Sequence, residues 1–343
     1  MVRRVVLALL LVLICIPSGI ARAVELKQET ITAFNRYIGL TEKQAMATLR
    51  ETGSYFWIDG FPDAKREAFD AQLRRGEIIV ERLETRDGKA PIEVPGGLVH
   101  HWVAMCFVPG STLPETLRVL QDYERYPLIY KGDVKRSRLL SADGQHFNVF
   151  IQMYQKSIIT VVYNAEFEVS YFPLGQSRSH SRSYSKRIAE VANPDDSDEG
   201  EKPIGRDRGF LWRLYSYWRL EERNGGIYVQ LESIALSRRV PAFFAWLVNP
   251  LLSSLPKTYL SRILVSTRTA LTHGISATAS SRAAQERADL VAGLLNLHTA
   301  AAKARGLSEK PVPTTCHRHR VLGEQPHCRD ENEPCKIPEG LLR

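Results

Sequence analysis

The chain has 343 residues, of which 44% are hydrophobic, with a formal charge of +8 and five cysteines. That balance excludes wholesale disorder and a disulfide-dense scaffold, and a single long apolar run excludes a multi-pass membrane protein. The basic surplus is scattered among acidic residues without a Lys/Arg block, so nucleic acid is not an expected partner; peripheral contact with an anionic membrane surface stays open.

The amino terminus reads as an export signal. Arg3 and Arg4 precede an apolar run over 5–16, and Ala21-Arg22-Ala23 offers a small-residue cleavage site. Residues 1–23 are therefore expected to leave as a signal peptide, placing the mature chain in the periplasm or outside the cell. Processing would remove Arg3, Arg4 and Arg22 and lower the charge from +8 to +5.

A mainly helical extension is expected over 24–97. Ala33, Phe34, Tyr37, Ile38 and Leu40 give one apolar face, with a break at Gly39-Leu40-Thr41. Thr41 and Gln44 have the spacing of a capping box that opens a second helix, and 62–75 predicts a third. Between them Tyr55-Phe56-Trp57-Ile58 lacks helical spacing and is expected to pack the extension onto the main body. A short strand over 77–84 and a turn at Asp87-Gly88-Lys89 precede a boundary at 93–97.

The main body is expected over 98–273. A strand at 98–108 leads to a helix at 113–126, which Pro127 ends. The period then changes to two. Strands are expected at 134–141 and 147–155, joined by Asp143-Gly144, then at 158–172, 179–191, 210–222 and 227–237, the last pair linked by Asn224-Gly225-Gly226. An apolar segment at 241–248 is interrupted by prolines over 250–256. An amphipathic helix follows at 257–273, with Leu260, Ile263, Leu264, Thr267 and Leu271 on one side. A helical extension is expected over 274–305 and a polar, irregular tail over 306–343.

This is an α+β order: strand, helix, a long antiparallel run, then a long helix. Together with His100-His101-Trp102, Leu120-Gln121-Asp122-Tyr123, the stretch 183–191 and Gly209-Phe210-Leu211-Trp212-Arg213-Leu214, it resembles the START-like, Bet v 1-like (SRPBCC) superfamily. That superfamily includes lipid-transfer, aromatase/cyclase and polyketide-cyclase-like proteins, and the sequence is most similar to a bacterial family of secreted SRPBCC-type proteins. The resemblance implies a helix-grip fold, in which a curved sheet wraps the carboxy-terminal helix, and a habit of binding ligands. It brings no catalytic signature.

Candidate ligand contacts follow from strand parity. Serines at 177, 179, 181, 183 and 185 alternate with Arg178, His180, Arg182, Tyr184 and Lys186, so a small-residue face opposes a basic one. Phe210, Trp212, Leu214, Ser216, Trp218 and Leu220 share the parity expected to line a pocket. Trp212, Leu214, Trp218, Leu260 and Leu264 are the apolar candidates, with Arg219, Gln230 and Glu232 as orienting polar groups or as partners of one another. Adjacent His100 and His101 are expected to face opposite sides, which argues against a shared metal. The acidic loop 193–201 lacks an EF-hand pattern and is expected to be solvated, with a gating role as the alternative. Cys106 is expected to be a buried thiol, while Cys316, Cys328 and Cys335 offer one disulfide in the tail. No nucleophile elbow, zinc-protease helix or phosphate loop is present, and neither a metal, a cofactor nor a protein partner is called for.

The expected function is an exported binding or carrier protein for a hydrophobic or amphipathic small molecule, lipids included. One alternative is a cyclase- or hydrolase-like enzyme using Tyr217, Arg219 and Glu232 in the same cavity. Another is a scaffold working through its helical front, the aromatic patch 55–57 and its basic tail.

Overall fold

Backbone pairing in the computed structural model gathers eight antiparallel strands into one curved sheet. The structure describes residues 24–156, 160–194, 200–239 and 242–273, with the side chains at 52, 156 and 242–255 outside that description. The expected helical extension at 274–305, the tail with its three cysteines, the leader 1–23 and the core of the acidic loop, 195–199, all lie outside the described residues.

In chain order, β1 (Val24–Glu25) leads to α1 (Gln28–Thr52), a 3-10 turn at Trp57–Gly60 and α2 (Asp63–Arg74). Then come β2 (Ile79–Arg82), the small hairpin β3 (Arg86–Asp87) and β4 (Ala90–Pro91), and the long β5 (Gly97–Pro109). Helix α3 (Leu113–Gln121) and the short α4 (Tyr126–Ile129) separate it from β6 (Val134–Asp143), β7 (His146–Lys156), β8 (Thr160–Leu174) and β9 (Arg178–Glu190). After β10 (Arg206–Asp207), strands β11 (Arg213–Arg223) and β12 (Gly226–Arg238) lead to α5 (Ala242–His273). The sheet order is β2-β5-β12-β11-β9-β8-β7-β6. The first and last long strands are thus brought side by side in the grip.

The two faces of the sheet have different covers. On the inner face, Leu260, Ile263, Leu264 and Ala270 of α5 share one core with Ala104, Cys106 and Val108 of β5, Leu220 of β11, and Ile227, Val229 and Leu231 of β12. Alternate residues point the other way. On that outer face, Phe34, Tyr37 and Ile38 of α1 pack with Tyr217, Ile234 and Leu236. Leu73 of α2, with Tyr55, Phe56 and Ile58, packs against Met105, Phe107 and Tyr228. Strands β5 and β12 are therefore covered on both sides, which explains their nearly unbroken apolar sequences. Tyr55, Phe56 and Ile58 are buried in this contact, as their lack of helical spacing suggested, so they offer no exposed patch to a scaffold partner.

Four expectations fail locally, each for a physical reason. Helix α1 runs unbroken through Gly39 to a left-handed Gly53. The face carrying Phe34, Tyr37, Ile38 and Thr41 is buried, and that packing outweighs the roughly 1 kcal/mol that a mid-helix glycine costs. Thr41 does not cap a helix; its hydroxyl donates to the Tyr37 carbonyl at 2.9 Å and lies 2.6 Å from Thr85 Oγ1. Helix α3 ends at Gln121, and Pro127 falls in the first turn of α4 instead of ending a helix, a position where its missing N–H is no loss. Finally, α5 continues through Pro250 and Pro256 as one helix, since each proline removes one backbone donor without reversing the chain.

Candidate ligand-binding face

The register of the central strands assembles a band of small polar side chains on the inner face. One rung across the sheet reads Arg82, Trp102, Ser233, Ser216, Ser183, Val169 and Phe147, placing serine side by side on β12, β11 and β9 and an arginine at the β2 edge. The rung toward the α3 end reads Ala104, Leu231, Trp218, Ser181 and Tyr171. On the other side His100, Ala235 and Leu214 share one rung, and Ser185, Phe167 and Val149 continue it beyond the end of the β11–β9 ladder, where Leu214 N donates to Ser185 Oγ. The band of small side chains lies between two apolar clusters. One is the core of β5, β12 and α5; the other contains Val149, Tyr163, Phe167, Val169 and Tyr171. Trp102, Ser183, Leu214, Ser216, Trp218 and Ser233 are all half-buried, whereas the same face toward α3 is fully buried.

Two hydroxyls on this face are buried without a hydrogen-bond partner among the described residues, Ser181 Oγ and Tyr163 Oη. Burial raises the Tyr163 phenol well above its usual range, so it is a neutral donor. Their neighbours are engaged: Ser185 Oγ accepts from Leu214 N at 3.0 Å, and Ser179 Oγ donates to the Phe172 carbonyl at 3.5 Å. The α3 end is shut by tyrosines, with Tyr171 and Tyr126 both donating to the Leu120 carbonyl at 3.2 and 2.6 Å. Tyr130 Oη lies 3.2 Å from Thr267 Oγ1 of α5. These tyrosines pack α3, α4, β8 and α5 together at that end.

Parity divides the candidate residues. Leu214 and Trp218 lie on the inner face, as do Leu260 and Leu264 of the helix packed against it. Arg219, Gln230 and Glu232 alternate with them and lie on the outer face under the helical layer, so they do not converge with Leu214 and Trp218. Trp212 also belongs to the outer cluster: the ladder begins at Arg213, the chain before it turns at Gly209 with φ 71°, and parity counted from the strand no longer applies. Its indole donates to Asp207 Oδ1 at 3.2 Å.

Most of the outer polar residues engage one another, while Gln230 Nε2 is buried without a hydrogen-bond partner among the described residues. Glu232 Oε1 and His101 Nε2 are 2.9 Å apart, as are His101 Nδ1 and Tyr37 Oη, while Thr85 N donates to Tyr37 Oη at 2.8 Å. Burial raises the Glu232 carboxyl, but the bond to His101 and the charges of His101 and Arg219 outweigh it and hold the group below its usual range. Gln230 Oε1 accepts from Trp57 N at 2.7 Å, and Glu42 of α1 receives both Tyr217, at 2.8 Å, and Tyr184. These bonds pin the amino-terminal layer to the sheet. Tyr217, Arg219 and Glu232 thus lie on the outer face and do not form an acid–base set on the inner one.

The basic alternation of β9 likewise faces outward. Arg178 pairs with Glu221, His180 stacks on Phe172 at 4.8 Å, Arg182 lies over Phe172 at 4.7 Å, and Lys186 pairs with Glu168 at 2.9 Å. His100 and His101 face opposite sides as expected, His100 Nε2 lying 2.9 Å from Ser237 Oγ. Cys106 is a buried free thiol in the inner core, pushed up to about 12 by burial. At the edge of the acidic loop, Glu201 pairs with Arg187 and accepts from Asn164 at 2.8 Å.

Two histidines set an acid limit on stability. Burial, with Arg82 as the second cause, pushes His100 down to about 4; burial, then Arg219 and Arg182, does the same to His180. Both resist protonation when folded and accept it near 6.5 when unfolded, so the unfolded state binds more protons between those values. Stability is expected to fall as pH drops from about 6.5 to about 4. Urea unfolding across that range tests this, and His100→Asn with His180→Gln should flatten the slope; an unchanged slope in the double variant would reject the assignment.

No family model matches the chain, and no curated protein matches it. Solved structures similar to it include a STAR-related lipid transfer protein from Xanthomonas axonopodis, at 16% identity and TM-score 0.36, covering 55% of this chain and 98% of that one. The Zhui aromatase/cyclase from a Streptomyces species is similar at 11% identity and TM-score 0.35, covering 52% of this chain and 95% of that one. A START superfamily protein from Mycobacterium smegmatis is similar at 11% identity and TM-score 0.34, covering 50% and 96%.

Proposed function

We propose that the inner face of the sheet binds a hydrophobic or amphipathic small molecule, lipids included, and that the chain serves as an exported carrier. The observation that carries this reading is the serine rung Ser183, Ser216 and Ser233, half-buried between two apolar clusters and flanked by Trp102 and Trp218. Apolar walls on either side would remove a ligand from water at about 25 cal/mol per Å² of apolar surface, and the scattered hydroxyls would orient it. Export rests on the leader-like sequence over 1–23.

Native mass spectrometry and solvent extraction of the chain purified from its own compartment test both parts. The expected result is a retained apolar molecule and an amino terminus at Val24. Recovery from the cytosol with residues 1–23 intact would remove the export part. A protein without retained ligand that also fails to bind apolar probes would remove the carrier part.

A further inference from the structure

The outer face of the sheet carries a second polar centre, separate from the serine band. One outer rung reads Met105, Gln230, Arg219, His180 and Phe172 across β5, β12, β11, β9 and β8. Arg182 stands two residues along β9 from His180 and so shares that face. Direct and diagonal neighbours across a sheet are within reach of long side chains. Gln230, Arg219, His180 and Arg182 therefore form one contiguous group, with Trp57 N bonded to Gln230 at its edge.

This group has a surplus of donors and of positive charge. Gln230 is fully buried, and only its Oε1 can accept from Trp57 N, so its amide N–H groups are the part left without a partner. Arg182 Nε is also buried and unpartnered among the described residues. The other cations of β9 each meet a carboxylate: Arg178 meets Glu221, Lys186 meets Glu168, and Arg187 meets Glu201. Arg182 instead lies over the rings of Phe172 and Tyr184, at 4.7 and 5.9 Å, with no ion pair among the described residues. Arg219 is 4.0 Å from Glu232, whose closer contact is His101 at 2.9 Å. The other acids of this face are engaged, Glu221 by Arg178 and Arg223, and Glu42 by Tyr184 and Tyr217. His180 is pushed down to about 4 by burial and then by Arg219 and Arg182, which places both guanidinium charges near it.

We infer that Arg182, Arg219 and the Gln230 amide form a binding site for a small oxyanion, a phosphate or carboxylate group, on the outer face of the sheet. Water would satisfy the orphaned donors but would leave two neighbouring guanidinium groups with one shared carboxylate between them. An oxyanion supplies both the acceptors and the missing charge, and charge-assisted bonds to arginine are the strong and directional kind.

The test is calorimetric titration of the full chain near neutral pH with sodium phosphate and, separately, sodium acetate, with ionic strength held constant by sodium chloride. Saturable binding of one anion per chain is expected, and the tighter of the two assigns the site to phosphoryl or to carboxylate groups. Arg182→Gln should weaken that binding at least about 10-fold. Arg182→Lys, which keeps the charge but loses the planar fork, should fall between it and the parent. Lys186→Gln removes the same charge from the same strand, at a side chain already paired with Glu168, and should change affinity less than about 2-fold. Circular dichroism checks that each variant keeps the fold. No saturable binding of either anion by the parent chain would overturn the inference. Equal losses in Arg182→Gln and Lys186→Gln would also overturn it, because they would reduce the effect to general attraction by a basic surface.

Discussion

Ser216→Leu is expected to abolish capture of apolar probes by the inner face, with at least about a 10-fold loss of affinity and little loss of stability. Ser216 is the middle member of the rung joining Ser233 and Ser183, and it is half-buried. A leucine there would occupy the space that the three small side chains leave open. Adding methylenes to a filled core costs about 1–3 kcal/mol through forced rotamers and backbone shifts. Adding them to an open hollow costs little and can stabilise by burying the new side chain. The two measurements therefore separate a hollow from a filled core. Lost binding with a urea midpoint near that of the parent supports the hollow. Strong destabilisation would show that the rung is already packed. Ser183→Leu, one strand away, should behave in the same way.

Phe34→Ala is expected to cost about 3–5 kcal/mol, the largest effect of any single substitution in the amino-terminal layer. Phe34 is fully buried between α1 and the sheet, where its ring meets Tyr215 edge-on at 5.4 Å. Removing it opens a cavity and leaves α1 held by polar contacts, chiefly Tyr37 to His101 and Glu42 to Tyr217. Loosening that layer would expose the outer face of β12, whose Ile234 and Leu236 are otherwise fully buried. Denaturant unfolding gives the magnitude, and amide exchange in α1 and β12 should report the same weakening. A loss below about 1 kcal/mol would mean that the layer contributes little to holding the sheet.

Much of the architecture was legible in the chain. The strands from β6 to β12 announce themselves by alternation and by turns such as Asp143-Gly144, and a hairpin turn ties the register of β11 to β12 directly. The serine face of β9 was visible as a bare alternation. Its companions Ser216 and Ser233 were not recognised as part of one band, because each stands alone among large residues in its own strand. The pairing of Ser183 with Ser216 spans the long connection between β9 and β11, which carries no tight turn to set its register.

The apparent binding set of Arg219, Gln230 and Glu232 shows the limit from the other side. Their alternation with Trp218 and Leu231 was readable, but polarity alone did not reveal that a helical layer covers the polar side. On an ordinary sheet with one face in water, Gln230 and Glu232 would be solvated. Here α1 and the turn at Trp57–Gly60 bury them, so each must find a partner in Trp57 N, His101 or Arg219. Gly39 failed as a helix break for a related reason: local propensity is weaker than the burial of an entire helix face.

The sequence by itself determined the class of the fold, the order of its elements and the alternation within each strand, because backbone period and turn chemistry are local. It also carried the net charge and the leader-like amino terminus. Only the tertiary structure decided which face of the sheet meets α5 and which meets α1, and which serines from separate strands share a rung. Those choices depend on the burial of whole faces and on register across long connections, where the energy belongs to residues brought together from distant parts of the chain.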